Sequence, residues 1–288
     1  MRDADPAVFG RLIALRQNPV FARAGLDELA TLVENAREAT FAPGTTIVRE
    51  GERAAQLYFV IDGRIEADGA PLAWGPHELA GILEMLAGRP SPHAMTAATA
   101  TRALELQGVE LADLLEDNFG ILTSMIRELA RAVASLRLPV LLPPLPPIAP
   151  GPLGLVERMI LLRRQPLLSN SRLQALSMLA QVASEMTWPA GARIQAAGDV
   201  VTQAIFLVDG SLRVDGSRLG PGDAFGLLES VAGLPARRDL VAAEPVRALV
   251  STEAALFDVL EDHTQLGLAM LARLAQTLLD APPADHHN

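Results

Sequence analysis

Apolar and polar positions alternate in two different rhythms along this chain, and the order of the rhythms repeats. Leu26, Leu29, Ala30 and Val33 fall three and four residues apart, which predicts a helix with one buried face. Leu173, Leu176 and Ala180 predict another. Behind each of them lies a stretch of short apolar runs cut by Gly, Pro and Asp-Gly pairs, the pattern of many short strands. Asp62-Gly63, Asp68-Gly69, Asp209-Gly210 and Asp215-Gly216 read as hairpin turns, because glycine takes a positive φ without strain. Each strand-rich stretch is followed by a second helical stripe. Met125, Ile126, Leu129, Val133 and Leu136 form the first; Met270, Leu271, Leu274 and Leu278 form the other.

The likeness between the halves extends to individual residues. Phe41-Ala42-Pro43-Gly44 with Ile47, then Gly51-Glu52, returns 147 positions later as Trp188-Pro189-Ala190-Gly191 with Ile194, then Gly198-Asp199. At the same offset Tyr58-Phe59-Val60-Ile61-Asp62-Gly63 meets Ile205-Phe206-Leu207-Val208-Asp209-Gly210, and Asp68-Gly69 meets Asp215-Gly216. Then the offset falls to 145. Gly81-Ile82-Leu83-Glu84 matches Gly226-Leu227-Leu228-Glu229, and Ala87-Gly88-Arg89-Pro90 matches Ala232-Gly233-Leu234-Pro235. The two lost residues fall just behind Asp68-Gly69, where a hairpin loop absorbs them. Between the repeats lies a stretch carrying Pro143-Pro144 and Pro146-Pro147, which forms neither helix nor central strand. The expected layout is a first domain over 1–138, a proline-rich linker over 139–152 and a second domain over 153–288.

The run Phe41-x-Pro43-Gly44-x-x-Ile47-x-x-x-Gly51-Glu52, followed by Tyr58-Phe59-Val60-Ile61-Asp62-Gly63, resembles the cyclic-nucleotide-binding superfamily of CRP and the protein-kinase-A regulatory subunits. The likeness covers both repeats. It implies a mainly β fold with flanking helices: two tandem eight-stranded, jelly-roll-like double-stranded β-helix domains, with glycines at the corners. It also implies where a ligand would sit, in a cassette that reads Phe-Gly-Glu and, about nine residues on, Arg-x-Ala. There the glutamate accepts from the ribose hydroxyl and the arginine holds the cyclic phosphate by a charge-assisted contact.

Both repeats depart from that cassette. Gly81 and Gly226 take the glycine position. The glutamate position is Ile82 in one repeat and Leu227 in the other, and the arginine position is Ser91 and Ala236. Glu84 and Glu229 come two residues late, behind Leu83 and Leu228. Arg237 comes one residue late, which in a strand turns the side chain to the other face. Each lost hydrogen bond to a charged group is worth about 1.5–3 kcal/mol, so two lower affinity by a factor on the order of 10² to 10⁴. The expected function is that of a non-catalytic regulatory or scaffolding protein acting through protein–protein contacts. The alternative is a sensor that takes cAMP, cGMP or a cyclic dinucleotide in a non-standard pocket, with Arg89, Arg237 or Arg238 as the cation, and signals by helix repacking.

Composition removes other functions. The net charge of −10 repels phosphate backbones, and the arginine pairs Arg163-Arg164 and Arg237-Arg238 read as surface charge, so no nucleic-acid partner is expected. Cysteine is absent, which excludes disulfides and thiolate chemistry. No apolar run approaches a membrane span and no signal core follows Met1, which points to the cytoplasm. His77, His93, His263, His286 and His287 show no metal-ligand spacing, and no nucleophile elbow, phosphate loop or dinucleotide fingerprint occurs. No catalytic residue, metal or cofactor is therefore expected. The one small ligand the resemblance implies is a cyclic nucleotide. The expected partner is another protein, or a second copy of the chain, docking on the closing helices.

Overall fold

The computed structural model describes residues 6–281 except 23, 54, 138–141, 143–144, 146–147 and 149–150. Most of the expected linker, and the pair His286-His287, therefore lie outside the described residues. The chain divides into two compact units, Met1–Met125 with Ala275–Asn288, and Ile126–Leu274.

In chain order the first half runs α1 (Pro6–Arg16), α2 (Leu26–Asn35), β1 (Arg37–Phe41), β2 (Thr46–Val48), β3 (Gln56–Asp62), β4 (Ile65–Ala67), β5 (Ala73–Trp74), β6 (Leu79–Ala80), α3 (Ile82–Ala87), β7 (Met95–Ala97), β8 (Thr101–Gln107), α4 (Gly108–Asp117) and α5 (Phe119–Ser135). The second half repeats it. It runs α6 (Leu155–Arg163), a 3₁₀ turn at Pro166–Leu168, α7 (Leu173–Val182), β9 (Ser184–Trp188), β10 (Arg193–Gln195), β11 (Gln203–Asp209), β12 (Leu212–Val214), β13 (Ser217–Leu219), β14 (Ala224–Phe225), α8 (Leu227–Ala232), β15 (Leu240–Ala242), β16 (Val246–Thr252), α9 (Glu253–Asp262) and α10 (Thr264–Leu279).

Among the described residues sixteen strands form four antiparallel sheets, two in each half. The first half pairs them in the orders β1-β8-β3-β6 and β2-β7-β4-β5; the second pairs β9-β16-β11-β14 and β10-β15-β12-β13. Register is kept as well as order. Gln56 faces Gln107 and Tyr58 faces Glu105; Gln203 faces Thr252 and Ile205 faces Val250. Facing sheets enclose a core of Val48, Tyr58, Val60, Ile65, Met95 and Ala103 in one roll. Ile205, Leu207, Leu212, Leu240 and Ala248 fill the other. The neighbouring residues Leu57, Phe59, Leu104 and Leu106 are also fully buried, so β3 is covered on both faces and reads as an unbroken apolar run from Leu57 to Ile61, while in β8 Arg102 and Glu105 stand between the buried residues.

The four Asp-Gly pairs divide into two kinds. Asp68-Gly69 joins the paired strands β4 and β5, and Asp215-Gly216 joins β12 and β13 as a two-residue hairpin with φ of 47° and 78°. Asp62-Gly63 and Asp209-Gly210 are not hairpins. β3 and β4 lie in different sheets, as do β11 and β12, so each of these pairs is a corner between sheets. The aspartate accepts from the glycine amide at 2.9 Å in both. A Cβ on Gly63 would lie 2.4 Å from the carbonyl oxygen of Ala100, and one on Gly210 would lie 2.1 Å from that of Pro245. Glycine stands here for want of space as well as for φ.

Leu26 and Leu173, read from their spacing as core positions, are exposed instead. Each is the first residue of its helix, where the Cβ leans toward the N-terminus and past the covered surface. Of the closing stripes, Met125, Ile126, Val133, Met270, Leu271 and Leu274 are buried, while Leu129, Leu136 and Leu278 are only partly covered. Among the described residues no helix is long and apolar enough to cross a membrane.

The two kinds of glycine predict different costs. Gly210→Ala should lower the unfolding free energy by about 3 kcal/mol or more, because the backbone must move away from Pro245. Gly216→Ala meets nothing within 4 Å and should cost only the left-handed strain, about 1 kcal/mol. Urea denaturation of the two variants checks the difference.

Candidate functional site

In each roll a short helix stands between β6 and β7, or between β14 and β15, and it begins the same way. Gly81 stands before α3 with φ of 84°, and Gly226 before α8 with φ of 83°. This left-handed residue lets the chain turn from strand into helix within one step. Each helix also ends on a left-handed glycine, Gly88 or Gly233, whose N–H returns to the last-turn carbonyls. The backbone of the cassette is therefore intact twice.

Its charged groups are not. The residue at the acid position is apolar in both: Ile82 is partly buried and Leu227 is buried. Leu83 and Leu228 beside them are partly buried. At the base position Ser91 and Ala236 are 1% and 4% exposed. Both are locked by the same backbone exchange. Ser91 N–H donates to the Glu52 carbonyl, and its own carbonyl accepts from Gly51 N–H. Ala236 N–H donates to Asp199, and its carbonyl accepts from Gly198. The Ser91 hydroxyl donates to the His93 carbonyl at 2.7 Å, so it is used within its own loop.

Glu84 is the one buried carboxylate here. It sits in the first turn of α3, where burial pushes its carboxyl above the usual glutamate range. Its own backbone N–H and the nearby His93 offset part of that. Glu229 is the equivalent in α8 and is partly exposed.

The arginines expected as alternative phosphate contacts are engaged elsewhere. Arg89 pairs with Asp280 within the first unit, both side chains about half exposed. Arg237 donates to the Ala134 carbonyl at 3.4 Å, and Arg238 pairs with Asp215 at 3.4 Å in full solvent view. In the second unit two other arginines reach the cassette: Arg127 donates to the Val231 carbonyl at 3.4 Å, and Arg131 to the Ala232 carbonyl at 3.0 Å. Neither stands out in the sequence, because on α5 the apolar stripe carries the signal and the residues between it look like ordinary surface. Among the described residues no cluster of three His, Asp or Glu side chains is arranged to hold a metal.

The family described as the cyclic nucleotide-binding domain matches residues 38–118. A cyclic nucleotide-gated potassium channel of Rhizobium etli is 27% identical over 117 residues, 40% of this chain and 31% of that one. A second such channel, of Mesorhizobium japonicum, is 29% identical over 93 residues, 32% of this chain and 26% of that one. The chain thus spans at most about a third of the length of these curated relatives. The regulatory domain of Toxoplasma gondii protein kinase A, crystallised with cAMP, aligns with 92% of this chain and 99% of its own at 17% identity and a TM-score of 0.39. Residues 38–118 thus match the cyclic nucleotide-binding domain family, and the second half of the chain repeats the strand order and register of that fold.

Proposed function

We propose that this chain is a non-catalytic regulatory protein whose two rolls act through contacts with another protein rather than by binding a cyclic nucleotide. The observation that carries this reading is the filling of the base position twice. Ser91 and Ala236 are buried and backbone-paired, and neither has charge to offer a phosphate. The neighbouring apolar residues Ile82 and Leu227 add nothing that accepts from a ribose hydroxyl.

A partner-binding role draws support from the surface. Exposed apolar side chains recur at equivalent positions ahead of each roll, Phe9 with Val156, Ile13 with Ile160, and Leu26 with Leu173. Repeated exposure of large apolar groups at the same places is the pattern of a contact surface rather than of scattered surface residues.

The sensor reading has one observation in its favour: the left-handed glycine and the short helix behind it are preserved in both rolls. Ligand-dependent stability separates the two. A nucleotide at 100 times its dissociation constant adds about 2.7 kcal/mol to the unit that binds it. Thermal unfolding with millimolar cAMP, cGMP or a cyclic dinucleotide should show no rise in Tm. A clear rise with one of them establishes the sensor instead.

Glu84 gives a second test. A carboxyl whose pKa is higher in the folded chain than in the unfolded one favours folding while protonated and opposes it once ionised. Glu84→Gln should therefore raise Tm at pH 8, and the gain should shrink as pH falls from above the ordinary glutamate range down into it. A gain that does not depend on pH would assign the effect to packing.

A further inference from the structure

The C-terminal end of α8 is held by more than its own glycine. The last carbonyls of a helix lack intrahelical donors and carry partial negative charge, so a cation there both satisfies and stabilises them. In the second unit two guanidinium groups do this from one face of α5. Arg127 reaches Val231 and Arg131 reaches Ala232. Each is braced from a second side. Arg127 pairs with Glu253 at 2.5 Å and lies 4.6 Å over the ring of Phe257. Arg131 pairs with Glu128 at 2.5 Å. The Arg127 and Glu253 side chains are about three-quarters buried, so this pair is less screened than an ordinary surface ion pair.

The fold of a roll does not require this clamp. At the same 145-residue offset the positions of Arg127 and Arg131 are Ala272 and Gln276, yet α3 has the same length and the same glycine ends as α8. Its flanking contact is the exposed Arg89–Asp280 pair. At these two positions α10 therefore carries neither of the clamp's arginines. The part of α5 that carries it, from Ile126 onward, groups with the second unit, while Phe119–Met125 of the same helix groups with the first.

We propose that Arg127 and Arg131 are a latch that holds the second cassette helix, α8, to α5, so that displacement of α5 frees it. The latch is a device of this chain's own residues and works whether or not the cassette accepts a ligand. Anything that pulls the second half of α5 away removes both caps and the Glu253 brace together.

Hydrogen exchange of the full chain, resolved by mass spectrometry, tests it. In Arg127→Ala/Arg131→Ala the amides of residues 227–233 should exchange on the order of ten- to a hundredfold faster, less than two fully buried charged contacts would give because both guanidinium groups are partly exposed. Those of residues 82–88 should keep their rate. Equal rates for 227–233 in the variant and the parent would overturn the latch, as would an equal acceleration of both cassettes. Should the double variant fail to fold, Glu253→Gln removes the brace on Arg127 without touching α5 or α8. A smaller acceleration confined to 227–233 is then expected, and none at all overturns the proposal.

Discussion

In each half the chain passes from one sheet to the other at a glycine pressed against a carbonyl oxygen, Gly63 against Ala100 and Gly210 against Pro245. No side chain fits between the two backbones. This close approach lets β3 and β4, or β11 and β12, enter different sheets with only two residues between them. Everything that follows depends on it. The facing sheets close on Ile65 and Val60 in one roll and on Leu212 and Leu207 in the other, and the strand β6 or β14 leads into the short helix behind Gly81 or Gly226.

The cassettes illustrate how a fold and its ligand chemistry separate. The backbone features that the family resemblance assigns to a phosphate site, a left-handed glycine and a short helix behind it, occur in both repeats. The side chains that would reward a ligand do not. Where they are absent, Ser91 and Ala236 keep the backbone exchange with the loop before β3 or β11 and let the position close. An unpaired buried arginine would carry a large desolvation cost, which a serine or an alanine avoids. In the second repeat, charge reappears at the far end of the helix, where Arg127 and Arg131 meet carbonyls rather than a phosphate.

Much of this was legible in the order of residues. The repeat, the many short strands and the position of the two-residue deletion follow from glycine and apolar spacing, because both are imposed by the local backbone; the eight-stranded roll is what the family resemblance implied. The same logic misassigned Asp62-Gly63 and Asp209-Gly210. A corner and a hairpin ask for the same residues, and only the pairing of distant strands tells them apart. Leu26 and Leu173 were placed in the core by period alone, although a helix's first turn overhangs what it covers. The burial of Glu84, and the meeting of Arg127 and Arg131 with α8 about a hundred positions away, depend on tertiary packing that no local pattern records.

The central claim is that the missing acid and base, not the shape of the roll, keep the cassettes silent toward cyclic nucleotides. Calorimetric titration of cAMP into the parent chain and into Leu227→Glu/Ala236→Arg addresses it most directly. The account predicts no measurable binding by the parent at micromolar nucleotide, and an affinity gain on the order of 10² to 10⁴ in the variant. Micromolar binding by the parent, with no gain on restoring the two charges, would contradict it.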